Sequence, residues 1–315
     1  MEPTVHQRIG WTDVPEHARA AFTREFAPVV SQDRKLGGYS PGLASVLHLD
    51  GGRRVFLKGI NDARTPGGPA LYRREREMVR VLPTGLPQPP LLWDYDDGEW
   101  VLLAFDAVTG HTPRIPWQDD ELDLVGAALT DMAAQYTPCT PPVVSAVQDI
   151  NEDEFHSHWR GLVSGSIPAD VGLLPRWAQE HLPLLAELEE GWEKGADGDT
   201  LLHMDLRSDN ILITPSGVVF VDWPWVARGT AWLDMVQFLP TTVAQGVDPE
   251  AVWRTFPPGQ DADPTAVNRV LTGIAGGYLV GAQKPAPPGI PHLREDGYRW
   301  GEAALTWLRT RLDQV

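Results

Sequence analysis

The spacing of hydrophobic and polar positions divides the chain into a strand-rich first third and a helix-rich remainder. β-type runs within 43–60 meet at an Asp-Gly-Gly turn, and those within 93–106 meet at an Asp-Gly turn, as in β-hairpins. Helices are predicted at 12–27 and 69–82, and helical spacing dominates after about residue 118. Two short strands are predicted within 211–221, on either side of a Pro-Ser-Gly turn. The pattern therefore predicts an α+β fold.

The second predicted helix places a carboxylate on its apolar face. Leu71, Met78 and Leu82 are spaced as one hydrophobic stripe. Glu75, four residues after Leu71, falls on this stripe, whereas Glu77 lies well round the helix. A carboxylate on a buried face is costly unless it has a partner.

The partner predicted for Glu75 is Lys58, at the end of the strand "RVFLK". A strand side chain at that position can face inward. The alternatives are pairing of Glu75 with Arg53 or Arg54, or exposure of Glu75 at the edge of a groove.

Two further segments place polar residues at the ends of apolar runs. The stretch "LLHMDLRSDNILI" (201–213) reads as a short rigid loop between two buried pieces, and "GVVFVDWPW" (217–225) brings Asp222 to the end of a strand. Asp205, Asn210 and Asp222 offer the oxygen ligands that Mg²⁺ prefers, usually in a shell shared with phosphates. Phosphoryl transfer also needs a base for the hydroxyl proton, and a carboxylate that does not bind the metal can be that base.

Composition limits the possible partners and location. The chain has 315 residues, of which 42% are hydrophobic, enough for one two-lobed unit or two domains. A net charge of −17 argues against a nucleic-acid partner. There is no apolar run of ~18 residues to span a membrane, and the N-terminus lacks a signal-peptide pattern. Cys139 is the single cysteine, so no internal disulfide can form and a cytoplasmic location is expected. A monomer or a dimer is expected.

Together, these elements resemble the protein-kinase-like fold and, more closely, the aminoglycoside phosphotransferase family. The resemblance covers most of the chain and is densest at 201–239. The other segments that carry it are "GGYSPGLASVLHLDGGRRVFLKG" (37–59), "YRREREMVRVLPTGLPQPPLL" (72–92), "VLLAFDAVTGHTP" (101–113) and "LREDGYRWGEAALTWL" (293–308). It implies a strand-rich nucleotide-binding lobe at 1–105, a mainly helical catalytic and substrate-binding lobe at 106–315, and a hinge at about 104–110.

The resemblance also implies roles for individual residues in a reaction that uses ATP (or GTP) and Mg²⁺. Asp205 is the expected base, and Asn210 and Asp222 are the expected magnesium ligands. Lys58 is expected to hold the α- and β-phosphates, and Glu75 to hold Lys58. The remaining nucleotide contacts fall in the phosphate loop and the hinge: Gly38, Ser40, Phe105, Asp106 and Ala107.

Three neighbouring residues have supporting roles in this scheme. His203 is expected to pack and to orient the loop, and Asp234 in "WLDMV" to tie the loop to a helix. Arg207 either stabilises the transferring phosphoryl group or forms an ion pair with Asp209 or the acidic surface.

Departures from the kinase pattern argue against a protein substrate. The loop "GGYSPG" is not G-x-G-x-x-G, Asp222 precedes Trp-Pro instead of Phe-Gly, and no A-P-E segment follows. The expected activity is phosphorylation of a hydroxyl on a small, amine-bearing molecule such as an aminoglycoside or amino sugar. The alternatives are another alcohol (choline-like, homoserine-like or a peptide antibiotic) and a nucleotide-binding pseudokinase.

The charge distribution provides the argument for a cationic acceptor. Residues 1–105 contain 13 acidic and 13 basic residues, whereas 106–200 contain 18 acidic and 4 basic ones. A cleft lined with carboxylates attracts cations, although acidic residues at helix starts are also favoured by the helix dipole alone. The candidate acceptor-binding residues are Asp149, Glu152, Asp153, Glu154, Asp296 and Glu302.

Overall fold

The structure is a computed structural model that describes residues 8–35, 37–140, 144–150 and 157–313. Contacts between Cα atoms divide the chain into two compact units. The first unit comprises Met1–Thr112, Asp209–Pro224 and Ala286–Pro291, and the second comprises Pro113–Ser208, Trp225–Pro285 and His292–Val315.

An antiparallel five-stranded sheet with the order β1-β2-β3-β5-β4 forms the centre of the first unit. Its strands are β1 (Val29–Arg34), β2 (Leu43–Leu49), β3 (Arg54–Asn61), β4 (Leu91–Asp96) and β5 (Trp100–Asp106). The unit also contains α1 (Glu16–Glu25), α2 (Gly68–Val81) and a hairpin of β7 (Ile211–Thr214) and β8 (Gly217–Phe220).

The two faces of the sheet are covered by different helices. On one face, Phe22 of α1 packs with Leu57, Leu102 and other residues of the sheet. On the other, Tyr72 of α2 packs with Leu103 and the other odd-numbered apolar residues of β5. Because successive strand side chains alternate between faces, and Lys58 pairs with Leu103 in the register of β3 and β5, Lys58 lies on the α2 side.

The β7–β8 hairpin belongs to the first unit by its contacts, although the sequence-based boundary assigns it to the second lobe. The backbone groups of His111 and Ile213 exchange hydrogen bonds of 3.0 and 2.8 Å, and the Phe220 amide donates to the Pro87 carbonyl. These bonds join the hairpin to segments on either side of the sheet's last two strands. The hairpin carries Asp222 at its end.

The second unit is mainly helical. Its helices are α3 (Asp119–Gln135), α4 (Val147–Ile150), α5 (His158–Ser164), α6 (Arg176–Glu180), α7 (Leu182–Glu189), α8 (Trp192–Ala196), α9 (Leu233–Thr242), α10 (Pro249–Thr255), α11 (Pro257–Gln260), α12 (Pro264–Gly281) and α13 (Leu293–Leu312). β6 (Thr200–Leu202) and β9 (Ala227–Gly229) form a short antiparallel pair. Every residue of α9 is buried, so this helix lies in the core of the unit.

The predicted α+β class and the three predicted hairpins are confirmed. The helices predicted at 12–27 and 69–82 are present as α1, which is shorter because a 3-10 turn precedes it, and α2. The predicted stripe on α2 is confirmed at Glu75 and Leu82, which are buried, whereas Leu71 and Met78 are only half-buried and the neighbouring Tyr72 is buried. None of the helices in the described part of the chain is long and apolar enough to span a bilayer.

Candidate active site

A buried lysine lies between two carboxylates in the first unit. The ammonium of Lys58 on β3 forms an ion pair with Glu75 of α2 and another, at 2.5 Å, with Asp222 after β8. The predicted pair of Lys58 and Glu75 is therefore confirmed. The competing arginines are engaged elsewhere: Arg54 donates to the Thr109 hydroxyl at 2.6 Å, and Arg53 lies over the Phe26 ring.

The charges in this cluster depend on one another. Burial alone would lower the pKa of Lys58, but the carboxylates of Asp222 and Glu75 outweigh burial and raise that pKa, so the ammonium stays charged. Burial raises the pKa of Glu75 to about 7, against the opposing effects of Lys58 and of a hydrogen bond from the Trp223 amide. Lys58 is thus the group that allows a carboxylate to be ionised at this buried position.

Tyr72 completes the surroundings of Lys58, and the sequence interpretation did not identify it. Its ring centroid lies 4.7 Å from the lysine Nζ, within the range of a cation–π interaction. Its hydroxyl lies 3.3 Å from the Ser40 hydroxyl, which in turn accepts a 3.3 Å hydrogen bond from the Gly42 amide. The sequence could have identified Tyr72 from its position three residues before Glu75, because this spacing places both side chains on one face of the helix.

Glycines allow the predicted phosphate loop to lie close to its neighbours. A Cβ atom on Gly42 would come within 2.3 Å of the Gly59 carbonyl oxygen, so the loop contacts β3 through bare backbone. Gly38 has φ +84°, a left-handed conformation that side chains disfavour. Ser40 contacts Tyr72 and Gly42 here, and the contacts of Gly38 and Ser40 with nucleotide stay predictions.

Asn210 and Asp222 provide two side chains in the first unit whose oxygen atoms could coordinate a metal ion. The Val221 amide donates to the Asn210 carbonyl at 3.0 Å, which links the two segments next to the predicted ligands. Asn210 is buried, whereas the Asp222 side chain is 41% exposed and can reach a ligand. One carboxylate and one amide oxygen suit Mg²⁺, which usually takes few protein ligands and shares its shell with phosphates. The residues present therefore fit this ion.

The predicted hinge residues lie at the end of β5 and directly after it. Phe105 is buried, with its ring centroid 6.0 Å from the Lys58 ammonium. The Asp106 amide donates a hydrogen bond of 3.0 Å to the Pro90 carbonyl, so this N–H group already has a partner within the protein. Ala107, the first residue after β5, is half-buried. The contacts of Phe105, Asp106 and Ala107 with the nucleotide base stay predictions.

In the second unit, a buried carboxylate holds the loop that carries Asp205. Asp234, in the first turn of α9, accepts hydrogen bonds of 2.8 Å from the amides of His203 and Met204. Burial raises the pKa of Asp234 to about 6, against the effect of these two amides. The Asp205 amide donates to the His203 ring nitrogen Nδ1 at 3.2 Å. The structural roles predicted for Asp234 and His203 are confirmed.

Arg207 forms an ion pair with Asp205, its neighbour two residues earlier in the loop. Neither of the two alternatives considered for Arg207 included this partner. Both side chains are mostly buried, with 16% of Arg207 and 23% of Asp205 exposed. A guanidinium in contact with the expected base favours the ionised carboxylate and fixes its orientation.

The candidate acceptor-binding residues are dispersed. Asp149 on α4 and Glu302 on α13 are exposed, and Asp296 forms an ion pair of 3.4 Å with Arg299. The remaining candidates, Glu152, Asp153 and Glu154, lie outside the described residues. Their contact with an acceptor stays a prediction.

Comparison with known families identifies the type of enzyme. The model of the phosphotransferase enzyme family matches residues 41–268. The chain belongs to this family. The matched range includes Lys58, Glu75, the Asp205 loop and Asp222. The prediction of a phosphotransferase is thereby confirmed.

Solved structures with the same fold include both aminoglycoside phosphotransferases and choline kinases. A thermostable mutant of aminoglycoside phosphotransferase APH(4)-Ia, bound to AMP-PNP and hygromycin B, is 14% identical with a TM-score of 0.63, over 94% of this chain and 99% of that one. Choline kinase LicA from Streptococcus pneumoniae is 12% identical with a TM-score of 0.58, over 94% and 100%. The GDP and kanamycin complex of APH(2")-IIia is 13% identical with a TM-score of 0.56, over 95% and 99%.

These similarities confirm the predicted protein-kinase-like fold. At such low identity they identify the fold alone. No curated protein sequence matches the chain.

Proposed function

We propose that this phosphotransferase moves the γ-phosphate of ATP or GTP to a hydroxyl of a small, amine-bearing molecule. The observation that carries the proposal is the ion-pair cluster of the buried Lys58 and Glu75 with the partly exposed Asp222, because a buried charge is costly to keep unless it is used. A nucleotide-binding pseudokinase has no need for the ordered Asp205 loop in addition to this cluster.

In the proposed reaction, Asp205 binds the acceptor hydroxyl and takes its proton as the oxygen bonds to the γ-phosphorus. The bond from this phosphorus to the bridging oxygen breaks, and the nucleoside diphosphate leaves. Arg207 contacts the carboxylate of Asp205 and orients it. Lys58 binds phosphate oxygens while Glu75 fixes its position.

Asn210 and Asp222 would hold Mg²⁺ in this scheme. The ion, when bound, neutralises phosphate charge. Asp222 also contacts Lys58, so this one carboxylate connects the metal-binding and phosphate-binding groups of the first unit.

The expectation of a cationic acceptor rests on charge. Residues 106–200 contain 18 acidic and only 4 basic side chains, and a field of this sign speeds the arrival of cations. Structures of the same fold were solved with hygromycin B and with kanamycin, and others are choline kinases. A choline-like alcohol is therefore the second candidate, favoured by the fold similarity to LicA. Both candidates are alcohols that carry a positive charge.

The test is a panel of hydroxylated amines with Mg-ATP and Mg-GTP, followed by release of the nucleoside diphosphate and by the mass of the product. The panel should contain aminoglycosides, amino sugars, choline and ethanolamine, with uncharged sugars and alcohols of matched size as controls. Turnover of an amine-bearing alcohol, abolished by Asp205→Ala, supports the proposal. Preference for a neutral alcohol would refute the cationic acceptor. Nucleotide binding without transfer to any compound would favour the pseudokinase.

A further inference from the structure

Arg8 brings a second cation to the predicted phosphate loop from the start of the described chain. Its backbone is held in place, because the next residue, Ile9, is only 4% exposed and packs into the core of the first unit. The Trp11 amide donates to the Gln32 side-chain oxygen at 2.9 Å, which joins this segment to β1. The backbone that follows Arg8 is thus anchored to the core and to β1 of the first unit.

The guanidinium of Arg8 lies directly over the loop. It donates to the Gly37 carbonyl, and its Nη2 atom lies 2.6 Å from the place that a Cβ atom on Gly38 would occupy. An Asp209 carboxylate oxygen lies 3.5 Å from the same place. Gly38 therefore leaves room for the arginine as well as for its own left-handed backbone. The loop, Arg8 and Asp209 all belong to the first unit.

This guanidinium has hydrogen-bonding capacity that the protein does not use. Its Nε atom is buried and has no hydrogen-bond partner in the described chain. Burial lowers the pKa of Arg8, while the nearby Tyr72, Asp209 and Asp222 oppose that effect. A buried donor without a partner is unfavourable, and a guanidinium binds phosphate oxygens through two parallel N–H groups. A phosphate bound at the loop would add acceptors for this guanidinium.

The charge of the neighbouring Lys58, Glu75 and Asp222 cluster also indicates that a further cation is needed to bind phosphates. Lys58 is already balanced by two carboxylates, and Asp209 adds a further negative charge close to the loop. Lys58 alone therefore leaves this region anionic, which opposes binding of a polyphosphate. Arg8 is the cation that the structure places directly over the Gly37–Gly38 backbone.

We infer that Arg8 is a further nucleotide-binding residue, whose guanidinium donates hydrogen bonds to the phosphates beyond the α-phosphate. This inference rests on the proposed function, since it concerns the same nucleotide. It assigns to the segment before α1 a part in recognition that the sequence did not indicate, because an isolated arginine outside any periodic element has no pattern to identify it.

The test measures binding of a non-hydrolysable ATP analogue, ADP and AMP, each with Mg²⁺ and without acceptor, by calorimetry. Arg8→Gln should weaken the ATP analogue and ADP by about 10- to 100-fold, the range expected for loss of charged hydrogen bonds. AMP affinity should change by less than about twofold, since AMP lacks the phosphates concerned. Arg8→Lys, which keeps the charge but loses the paired donors, should give an intermediate loss for the ATP analogue and ADP.

The matched control is Arg24→Gln, an identical charge change at an exposed position of α1. It should bind all three nucleotides like the wild type. Equal losses for AMP, ADP and the ATP analogue in Arg8→Gln would indicate general damage to the loop and overturn the inference. Unchanged or tighter ATP binding would also overturn it. If the wild type itself binds no nucleotide, both the proposed function and this inference fail. If the wild type binds nucleotide and Arg8→Gln does not show the expected losses, only this inference fails.

Discussion

Removal of the Lys58 charge should destabilise the protein in a way that depends on pH. In the wild type, burial raises the pKa of Glu75 to about 7, from an ordinary value of 4.5. Lys58→Met removes the attraction that lowers this pKa, so the folded state of the variant keeps Glu75 protonated above pH 7. A folded state that binds a proton the unfolded state has lost becomes less stable as pH rises. The cost of Lys58→Met should therefore increase above pH 7.

The size of this increase follows from the charge states of Glu75. Between about pH 4.5 and 7, Glu75 is protonated in both folded proteins, and their stabilities change in parallel. Above pH 7 the wild type ionises Glu75 beside Lys58, whereas the variant continues to lose up to about 1.4 kcal/mol per pH unit. The extra cost at pH 9 relative to pH 6 should thus reach about 2–3 kcal/mol. Lys58 itself adds no pH dependence here, since its pKa is raised above 10.5 and its charge is present throughout.

The assay is urea unfolding at pH 6 and pH 9, with Lys58→Met made in the wild type and in a Glu75→Gln background. The glutamine cannot ionise, so the cost of Lys58→Met in that background should be the same at both pH values. Glu77→Gln on the exposed side of α2 should change stability by no more than about 0.5 kcal/mol. An equal cost at pH 6 and pH 9 in the wild type, or an equal increase in the Glu75→Gln background, would refute the reasoning.

Three further predictions concern the reaction. Asp205→Ala should lower the transfer rate at least ~100-fold while nucleotide affinity stays within a few-fold, and near-normal rates in a single-turnover assay would exclude Asp205 as the base. Asp222→Asn and Asp222→Ala should both weaken Mg-nucleotide binding in titrations with Mg²⁺. Both variants remove the carboxylate that pairs with Lys58, and Asp222→Ala should be about 1 kcal/mol less stable than Asp222→Asn, because Asn tolerates φ +71° and Ala does not. The KM of a cationic acceptor should rise with salt at constant Mg-ATP, and a flat response would show that the acidic residues are only surface.

The sequence predicted those features that strong local patterns encode. Asp-Gly turns between β-type runs identified the main hairpins, and a glutamate on an apolar helix face identified the Lys58–Glu75 pair. Asp234 was identified by family resemblance, and its two backbone contacts agree with that assignment.

The features that the sequence did not predict lack such patterns. β1 is an edge strand with several exposed residues, including Val30 at 71% exposure, so it has no clear hydrophobic alternation. β6 and β9 are only three residues long. Tyr72 is buried while Leu71 is only half-buried, and the Tyr72 hydroxyl lies 3.3 Å from that of Ser40. The Arg207–Asp205 contact depends on how the chain turns at Met204, where φ is +65°.

Two residues in the loop segments of the candidate site have strained backbone conformations, and polar contacts hold them in place. Met204 and Asp222 both have positive φ, a conformation that costs about 1–2 kcal/mol for a residue such as Met and less for Asp. Each is held by an ionisable group: Asp234 accepts from the Met204 amide, and Lys58 contacts the Asp222 carboxylate. Strain persists only where surrounding contacts over-determine it. The two buried polar contacts therefore fix the backbone next to Asp205 and at Asp222, and variants at Asp234 or Lys58 should act on geometry as well as on charge.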